Sequence, residues 1–261
     1  MHKSPRGGGQ GRSVVAFADN FKTGTLFDLP ILRPEDLLNF DFDTVVIASV
    51  AAAAIRSKLL SLGIPNGKIS SSYVEISAAG RDTFLKNVSR EIIRKKLDGA
   101  VAEAGVFQGD FASLINKYFS NKKLYLFDTF EGFDARDLAN EEGYKHESGD
   151  HFKETSVELV MSKMAHPENV IVKKGYVPET FEDVNEKFCF VNLDMDLYQP
   201  TYVALEWFWP NMVTNGVILV HDYFYESGQF PNLKKAVIKF AEENDVKTMP
   251  IGDDLSIALI K

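Results

Sequence analysis

Residues 100–131, AVAEAGVFQGDFASLINKYFSNKKLYLFDTFE, carry the pattern that decides the fold. The runs AVAEAG and KLYLFDTF are typical of buried strands, and FASLINKYF between them has the composition of a helix. Further strands are predicted in NVIVKKG, FCFVNLDMD, GVILVHDYF, VKTMPI and LSIALIK, with helices in SVELVMSKM, TYVALEWFWPNM and NLKKAVIKFAEEN. Strands that are hydrophobic throughout are expected in a parallel sheet covered on both faces. We therefore predict an α/β fold with a doubly wound, mostly parallel, Rossmann-like sheet.

A smaller α/β unit is predicted ahead of this sheet, over residues 12–75. Strands are expected in SVVAFADN (13–20) and TVVIAS (44–49), and a helix in VAAAAIRSKLLSL (50–62). We expect a partial Rossmann-like unit, because the opening strand and its glycine loop are missing.

The remaining boundaries follow from composition. Residues 1–11 are glycine-rich and are predicted to be a disordered start. A connecting helix is predicted within residues 76–99, as an amphipathic helix over 82–97 with Asp82 as its N-cap. The main domain is then expected over residues 100–261.

Composition narrows the function classes. The formal net charge is −8, which gives the chain no general attraction for nucleic acid. The longest uncharged apolar run, Thr44 to Ile55, is too short to span a bilayer, so we expect no membrane partner. The only cysteine, Cys189, lies in an apolar run and is expected to be a buried small side chain. These features favour a cytoplasmic location.

The first candidate site follows the strand of residues 100–105. Gly105 and Gly109 permit a tight turn, and the next helix presents its N-terminus to an anionic group. Asp128 follows about 20–25 residues later, where an acid binds ribose hydroxyls in such sheets. Glu103 stands where a dinucleotide motif has its first glycine, which disfavours a dinucleotide ligand.

The second candidate site joins the ends of two later strands. Asp194 follows one strand, and His221 and Asp222 follow another. Two carboxylates and an imidazole suit a divalent cation with open positions for substrate oxygens. A solvated acidic rim with a hydrogen-bonded histidine is the alternative.

A long polar stretch, residues 131–155, is a third feature, because ordinary connections are shorter. Its residues 134–155 contain His146 and His151 and are a candidate lid over an acceptor. Ordinary solvated loop histidines are the alternative.

Four segments together resemble the macrocin O-methyltransferase family of class I S-adenosylmethionine (SAM)-dependent methyltransferases. They are VAEAGVFQGDFASLI, LYLFDTFEGFD, GYVPETF and NLDMDLYQPTYVALEWFWPNMVTNGVILVHDYF. The resemblance covers residues 82–245, and its most specific part is L-D-x-D-L-Y with a later strand that ends in a polar pair before Tyr.

The resemblance implies SAM as cofactor and a sugar hydroxyl as methyl acceptor. It implies that Glu103, Gly105 and Gly109 lie along the methionine portion of SAM, near Phe107. It implies ribose binding by Asp128, flanked by Thr129 and Phe130, and adenine contacts at Gly175 and Tyr176. The cation would be held by Asp194, His221 and Asp222, with Asp194 first and His221 second as the catalytic base. His221 replaces the aspartate of better-known members, which leaves open Mg²⁺, another divalent ion, or none.

Two other functions stay open at this point. One is a non-catalytic SAM- or sugar-binding module in glycan assembly, and the other is an NAD-dependent sugar-modifying enzyme. The acceptor is expected to be a small molecule or a glycan, and whether the chain forms a homo-oligomer is open. The N-terminal unit is expected to serve docking or packing rather than nucleotide binding.

Overall fold

The computed structural model describes residues 13–49, 51–141, 152–224 and 232–261. The chain divides into two compact units, one that ends at Ile76 and one from Ser77 to Lys261. The predictions for residues 1–11, His146 and His151 lie outside the described residues.

The N-terminal unit contains short strands and one α-helix in its described part. They are β1 (Phe17–Ala18), β2 (Gly24–Leu26), β3 (Leu29–Leu32), β4 (Val45–Val46), α1 (Ala52–Ser61) and β5 (Ile69–Ser70). β3 pairs with β1 in parallel and with β2 as a hairpin, while β4 pairs with β5 in parallel. A small core is formed by Leu37, Ile47, Leu59, Ile64 and Ile69.

The β2–β3 hairpin was not predicted from the sequence. Its two turn residues, Phe27 and Asp28, have positive φ values of 50° and 63°. Such turns normally carry Asn-Gly or Asp-Gly, so Phe-Asp gives no hairpin signal.

The predicted connecting helix has different bounds. α2 runs from Ser72 to Arg94, whereas the helix was predicted over residues 82–97 of the connecting segment 76–99. Asp82 is therefore not an N-cap but lies inside the helix, where its Oδ1 accepts the hydroxyl of Tyr118 at 2.8 Å. Gly80 lies inside α2, and a glycine there weakens the sequence signal for a helix. At this point α2 passes close to Asp253, because a Cβ added to Gly80 would lie 3.2 Å from the Cα of Asp253.

The second unit is built on a sheet of seven strands within the described ranges. They are β6 (Ala100–Ala104), β7 (Leu124–Asp128), β8 (Val170–Lys174), β9 (Phe188–Leu193), β10 (Met212–Val220), β11 (Thr248–Pro250) and β12 (Ile257–Ile260). The order is β11-β12-β10-β9-β6-β7-β8, and only the pairs made by β12 are antiparallel. This confirms the predicted mostly parallel α/β sheet.

The helices of this unit cover the sheet. After α2 come α3 (Asp110–Tyr118), α4 (Ala135–Asn140), α5 (Val157–Ser162), α6 (Tyr198–Asn211) and α7 (Leu233–Glu243). α4 was not predicted, because a single turn of helix in a polar stretch has no apolar period. Asp134 caps it by accepting the amide of Arg136 at 2.8 Å.

The inner strands of the sheet send alternate side chains into two cores. In β7, Leu126 packs on one face and Phe127 on the other. Cys189 in β9 is fully buried, as predicted, and burial raises the pKa of its thiol. Complete burial of one large apolar side chain contributes about 1.5–3 kcal/mol, so these two cores fix the strand ends that carry the polar residues.

The three aromatic residues near the end of α6 all pack within the chain. Phe208 is fully buried, and Trp207 stacks on Phe181 with 4.3 Å between ring centroids. Trp209 lies edge-on to Phe240 of α7. None of the helices in the described ranges is both long and apolar enough to cross a membrane.

Candidate active site

The predicted site residues lie together at the carboxyl ends of the parallel strands in the second unit's sheet. β7, β6, β9 and β10 are neighbours and run in parallel, so their carboxyl ends lie side by side. Glu103 is in β6, Asp128 ends β7, Asp194 follows β9, and His221 and Asp222 follow β10.

The loop from Gly105 to Gly109 is shaped by protein contacts. Gly105 has φ +81°, and a Cβ there would lie 1.9 Å from the carbonyl oxygen of Asp194. Gly109 has φ +79° at the start of α3, and its Cβ would lie 2.8 Å from Cγ1 of Val160. Both glycines are therefore required by close approach of the chain itself.

Asp128 holds this loop in place. Its Oδ2 accepts the amides of Val106 and Phe107 at 2.6 and 2.9 Å, and its Oδ1 accepts the amide of Phe130 at 2.7 Å. A carboxylate offers about four acceptor positions, so about one is left for a ligand. The hydroxyl of Thr129 donates to the carbonyl of Gly132 at 2.6 Å.

The aromatic residues of the loop lie at different depths. The side chain of Phe130 is buried, while Phe107 is 37% exposed and contacts the ring of Phe152 edge-on. Phe107 thus lies at the rim of the site.

Gly175 and Tyr176 come next to Asp128 at the end of β8. The Gly175 amide donates to the backbone carbonyl of Asp128 at 2.9 Å. The Tyr176 hydroxyl donates to Oδ1 of Asp137 at 2.8 Å, and the Arg136 guanidinium lies 3.6 Å from its ring centroid. Burial raises the pKa of Asp137 to about 6 and that of Tyr176 to about 12. Tyr176 is thereby tied to α4.

Arg81 of α2 reaches the same edge and was missed from the sequence. Its Nη2 donates to Oδ1 of Asn192 at 3.0 Å and to Oδ2 of Asp194 at 2.9 Å. Its guanidinium stacks on the ring of Phe111 at 3.9 Å. A helix outside the strand series supplies this cation, so no strand-end pattern could reveal it.

Glu103 lies beneath this arginine and is buried. Its Oε1 accepts Nδ2 of Asn192 at 2.8 Å, whereas Oε2 has no hydrogen-bond partner among the described residues. Burial raises the pKa of Glu103 well above its ordinary value, although the Arg81 guanidinium opposes the shift. A buried polar atom without a partner is a position where a ligand donor can bind.

Asp194, His221 and Asp222 form the second predicted cluster. Each offers one ligand atom, and these atoms lie within 4.8 Å of one another. His221 Nε2 is 3.5 Å from Oδ1 of Asp222. Burial would raise the pKa of Asp194, but His221 and Arg81 outweigh it and hold that pKa below its ordinary value. Nearby Asp196 differs, because burial and the two neighbouring carboxylates raise its pKa well above the usual range.

His221 also has partners behind it. Its Nδ1 lies 2.9 Å from Oγ of Ser256, and that hydroxyl donates to Oδ2 of Asp253 at 2.6 Å. Ser256 and Asp253 precede β12 and were not predicted as site residues. The tight Asp-Asp-Leu-Ser turn before a strand was the available clue.

Comparison with solved structures finds the same fold in O-methyltransferases. The O-methyltransferase NovP has 19% sequence identity and a TM-score of 0.61, and the match covers 70% of this chain and 79% of NovP. The calicheamicin methyltransferase CalS11 has 18% identity and a TM-score of 0.56, covering 86% and 96%. Its apo structure, described as TDP-rhamnose 3'-O-methyltransferase, has 18% identity and a TM-score of 0.52, covering 86% and 98%.

Sequence comparison assigns the family. Comparison with curated proteins gives no match. Residues 72–255 match the family described as Macrocin-O-methyltransferase (TylF), which is most of the chain. The chain therefore belongs to the macrocin O-methyltransferase family and is a SAM-dependent O-methyltransferase, as its sequence resemblance implied.

Proposed function

We propose that this enzyme transfers the methyl group of SAM to a hydroxyl group of a sugar. The observation that carries the proposal is the family match over residues 72–255. CalS11 is a TDP-rhamnose 3'-O-methyltransferase, which supports an acceptor sugar that is carried on a nucleotide. A glycan or a glycosylated metabolite is the alternative to a nucleotide-linked sugar, because each offers the same kind of hydroxyl group for methylation.

The reaction requires positioning and removal of one proton. The acceptor oxygen attacks the methyl carbon, the carbon–sulfur bond breaks, and its electron pair stays on sulfur to give S-adenosylhomocysteine. The hydroxyl proton passes to a base on the enzyme. The products are the methyl ether, S-adenosylhomocysteine and one proton.

The cofactor is proposed to lie across the glycine loop. Glu103, Gly105, Phe107 and Gly109 would line its methionine portion, where the N-terminus of α3 offers amide donors. The partnerless Oε2 of Glu103 supports this placement.

The nucleoside portion is proposed to lie beside β7 and β8. Asp128, with Thr129 and Phe130 beside it, would bind the ribose, supported by its remaining acceptor position. Gly175 and Tyr176 would contact the adenine.

Asp194 and His221 are the proposed catalytic residues. The pKa of Asp194 is low and its Oδ2 is bound to Arg81, which makes it a weak proton acceptor. His221 is favoured as base, because the Ser256 contact at Nδ1 leaves Nε2 on the other side of the ring.

A divalent cation is a further part of this proposal. Asp194, His221 and Asp222 would hold it, and the donor set fits, since each offers a ligand atom within 4.8 Å of the others. An imidazole ligand favours Mn²⁺, Fe²⁺ or Zn²⁺ over Mg²⁺. When bound, the ion would act as a Lewis acid that lowers the pKa of a coordinated hydroxyl. Nε2 of His221 can either coordinate or accept the proton, so metal dependence decides between the two roles.

Calorimetry and a methyl-transfer assay test these proposals. We expect SAM to bind with micromolar affinity. TDP-rhamnose is then tested as acceptor in three separate conditions, with EDTA, with Mg²⁺ and with Mn²⁺, and we expect it to be methylated in at least one of them. Activity in EDTA assigns the base role to His221, and activity only with a metal assigns the ligand role. Absence of SAM binding in every condition would refute the proposed function.

The ribose contact needs a ligand variant, because Asp128 also holds the loop. We expect S-adenosylhomocysteine to bind the wild type at least about tenfold more tightly than its 2'-deoxy form, and Asp128→Asn to lose this difference. Equal discrimination by both proteins would contradict the ribose contact.

The N-terminal unit is proposed to serve docking or packing. In its described part, no strand is followed by the glycine loop that nucleotide binding requires. A cytoplasmic location and a homo-oligomer stay predictions.

A further inference from the structure

The turn before β12 contains a carboxylate whose contacts are all defined. Asp253 is 1% exposed, and its Oδ1 accepts the amides of Leu255 and Ser256 at 3.1 and 2.7 Å. Its Oδ2 accepts the Ser256 hydroxyl at 2.6 Å. An ionised carboxylate only accepts hydrogen bonds, so the single hydroxyl proton of Ser256 is committed to Asp253.

The hydrogen bond from the Ser256 hydroxyl to Asp253 determines which ring nitrogen of His221 carries the proton. Ser256 Oγ has only lone pairs left for His221 Nδ1, which lies 2.9 Å away. Nδ1 must therefore be the donor in this pair. A neutral imidazole carries one N–H group, so Nε2 is left with its lone pair.

We propose that Asp253 and Ser256 are positioning residues that hold His221 with its proton on Nδ1 and a lone pair on Nε2. Among the described residues Nε2 makes no hydrogen bond, and Oδ1 of Asp222 lies 3.5 Å from it. The inference rests on the proposed function, because a base and a metal ligand both need that lone pair. It adds two residues, remote in sequence from the strand-end acids, to the catalytic machinery.

The sheet itself builds this arrangement. β10 and β12 pair in antiparallel register with Val220 opposite Ile257, so the next residue of β10, His221, lies beside the preceding residue of β12, Ser256. The turn is held from outside the sheet as well, because the Ser77 hydroxyl donates to the backbone carbonyl of Asp253 at 2.5 Å.

Asp253→Asn provides the sharpest variant. The asparagine keeps its Oδ1 for the two backbone amides, but its Nδ2 donates where Oδ2 accepted. Ser256 would then turn its hydroxyl proton toward Nδ1 of His221, which moves the imidazole proton to Nε2. Nitrogen-15 NMR of the ring distinguishes these tautomers at about pH 9, where an ordinary histidine is neutral.

The spectrum is recorded on the full chain with EDTA and without SAM or sugar, and His221→Gln assigns the signals. We expect the Nδ1–H form in the wild type and the Nε2–H form in Asp253→Asn, with the signals of His166 unchanged as an internal control. An Nε2–H form in the wild type would overturn the proposal, even if the variant does not fold. An unchanged tautomer in folded Asp253→Asn would overturn it too.

Activity supplies the second readout. We expect Asp253→Asn and Ser256→Ala to lower kcat by about 100-fold while the Kd for SAM changes by less than about twofold. Wild-type kcat in both folded variants would contradict a positioning role. The NMR result is independent of turnover, so failure of the proposed sugar methylation would not be mistaken for failure of this arrangement.

Discussion

The ionisation of Glu103 is expected to be coupled to cofactor binding. Burial raises the pKa of its carboxyl well above the ordinary value, which favours the protonated form in the free protein. The ammonium group of SAM would favour the ionised form, so we predict that SAM binding releases about one proton near neutral pH. Calorimetry in two buffers of different ionisation enthalpy measures this number.

Glu103→Gln is the matching variant, because it keeps the acceptor for Asn192 but cannot ionise. We expect proton release near zero, while Glu91→Gln, on the exposed side of α2, behaves as the wild type. Equal proton release by Glu103→Gln and wild type would contradict the assignment.

The Arg81–Asp194 ion pair is expected to dominate the stability of the site. The two side chains are partly buried, so removing one partner leaves the other charge poorly compensated, and Arg81→Met should lower the unfolding free energy by about 2 kcal/mol. Adding Asp194→Asn should recover at least about 1 kcal/mol. Urea unfolding followed by tryptophan fluorescence measures this, since Trp207 and Trp209 both lie in the second unit. Strictly additive losses would show that the pair is not coupled.

Strand-end residues could be predicted, and their partners could not. Asp128, Asp194 and His221 each follow a hydrophobic run, so the sheet rule locates them. Arg81 and Ser256 reach the same edge from α2 and from the turn before β12. Their positions depend on tertiary packing, which has no local pattern.

At the level of elements, α4 and the residues after β8 are joined by the hydrogen bond from Tyr176 to Asp137, and the carboxyl group of Asp137 titrates. Burial raises the pKa of Asp137 to about 6, with the Tyr176 hydroxyl, Asp134, Arg136 and Glu141 as its charged or polar neighbours. The folded state then binds more protons than the unfolded state between about pH 4 and 6, so the contribution of Asp137 to stability falls as pH rises through this range.

Asp137→Asn removes this titration. Relative to the wild type, we expect the Tm of the variant to rise between about pH 4 and pH 7, because only the wild type acquires a buried charge. A constant Tm difference across this range in thermal unfolding would contradict the raised pKa.

Substituting glycines with alanine can separate two effects in the loop after β6: the collision of an added Cβ with the neighbouring backbone, and the strain of a positive φ. Gly105→Ala should be far more harmful than Gly252→Ala, although both glycines have similar positive φ values. The left-handed conformation costs about 1–2 kcal/mol in both, but only at Gly105 does the added Cβ collide with the backbone of Asp194. Equal losses of unfolding free energy would refute the collision.

Elements of the second unit were predictable where hydrophobic period and length agreed. β6 to β10 and helices α3, α6 and α7 are long enough to show it. The start of α2 was not predicted, because Ser72 to Gly80 has no clear apolar face. Gly80 in this part of α2 lies close to Asp253, a tertiary contact that no local pattern reveals.

At the scale of the whole molecule, the order of the sheet lies beyond local reasoning. Alternating strands and helices predict parallel pairing, but the position of β6 between β9 and β7 and the reversed β12 depend on how the crossovers pack. The boundary of the second unit has the same origin. It was predicted at residue 100, whereas the compact unit begins at Ser77 and includes most of α2.

Two shortened chains test where this unit begins. A chain of residues 72–261 retains α2, whose Leu85 and Ile92 are buried in the core on one face of the sheet. We expect it to unfold cooperatively and to bind SAM within about threefold of the full chain, a difference below about 1 kcal/mol. A chain of residues 100–261 loses both side chains, about 1.5–3 kcal/mol each, together with the Arg81 contact to Asp194. We expect it to be insoluble or to unfold without cooperativity, and equal stability of the two chains would place the boundary at residue 100 after all.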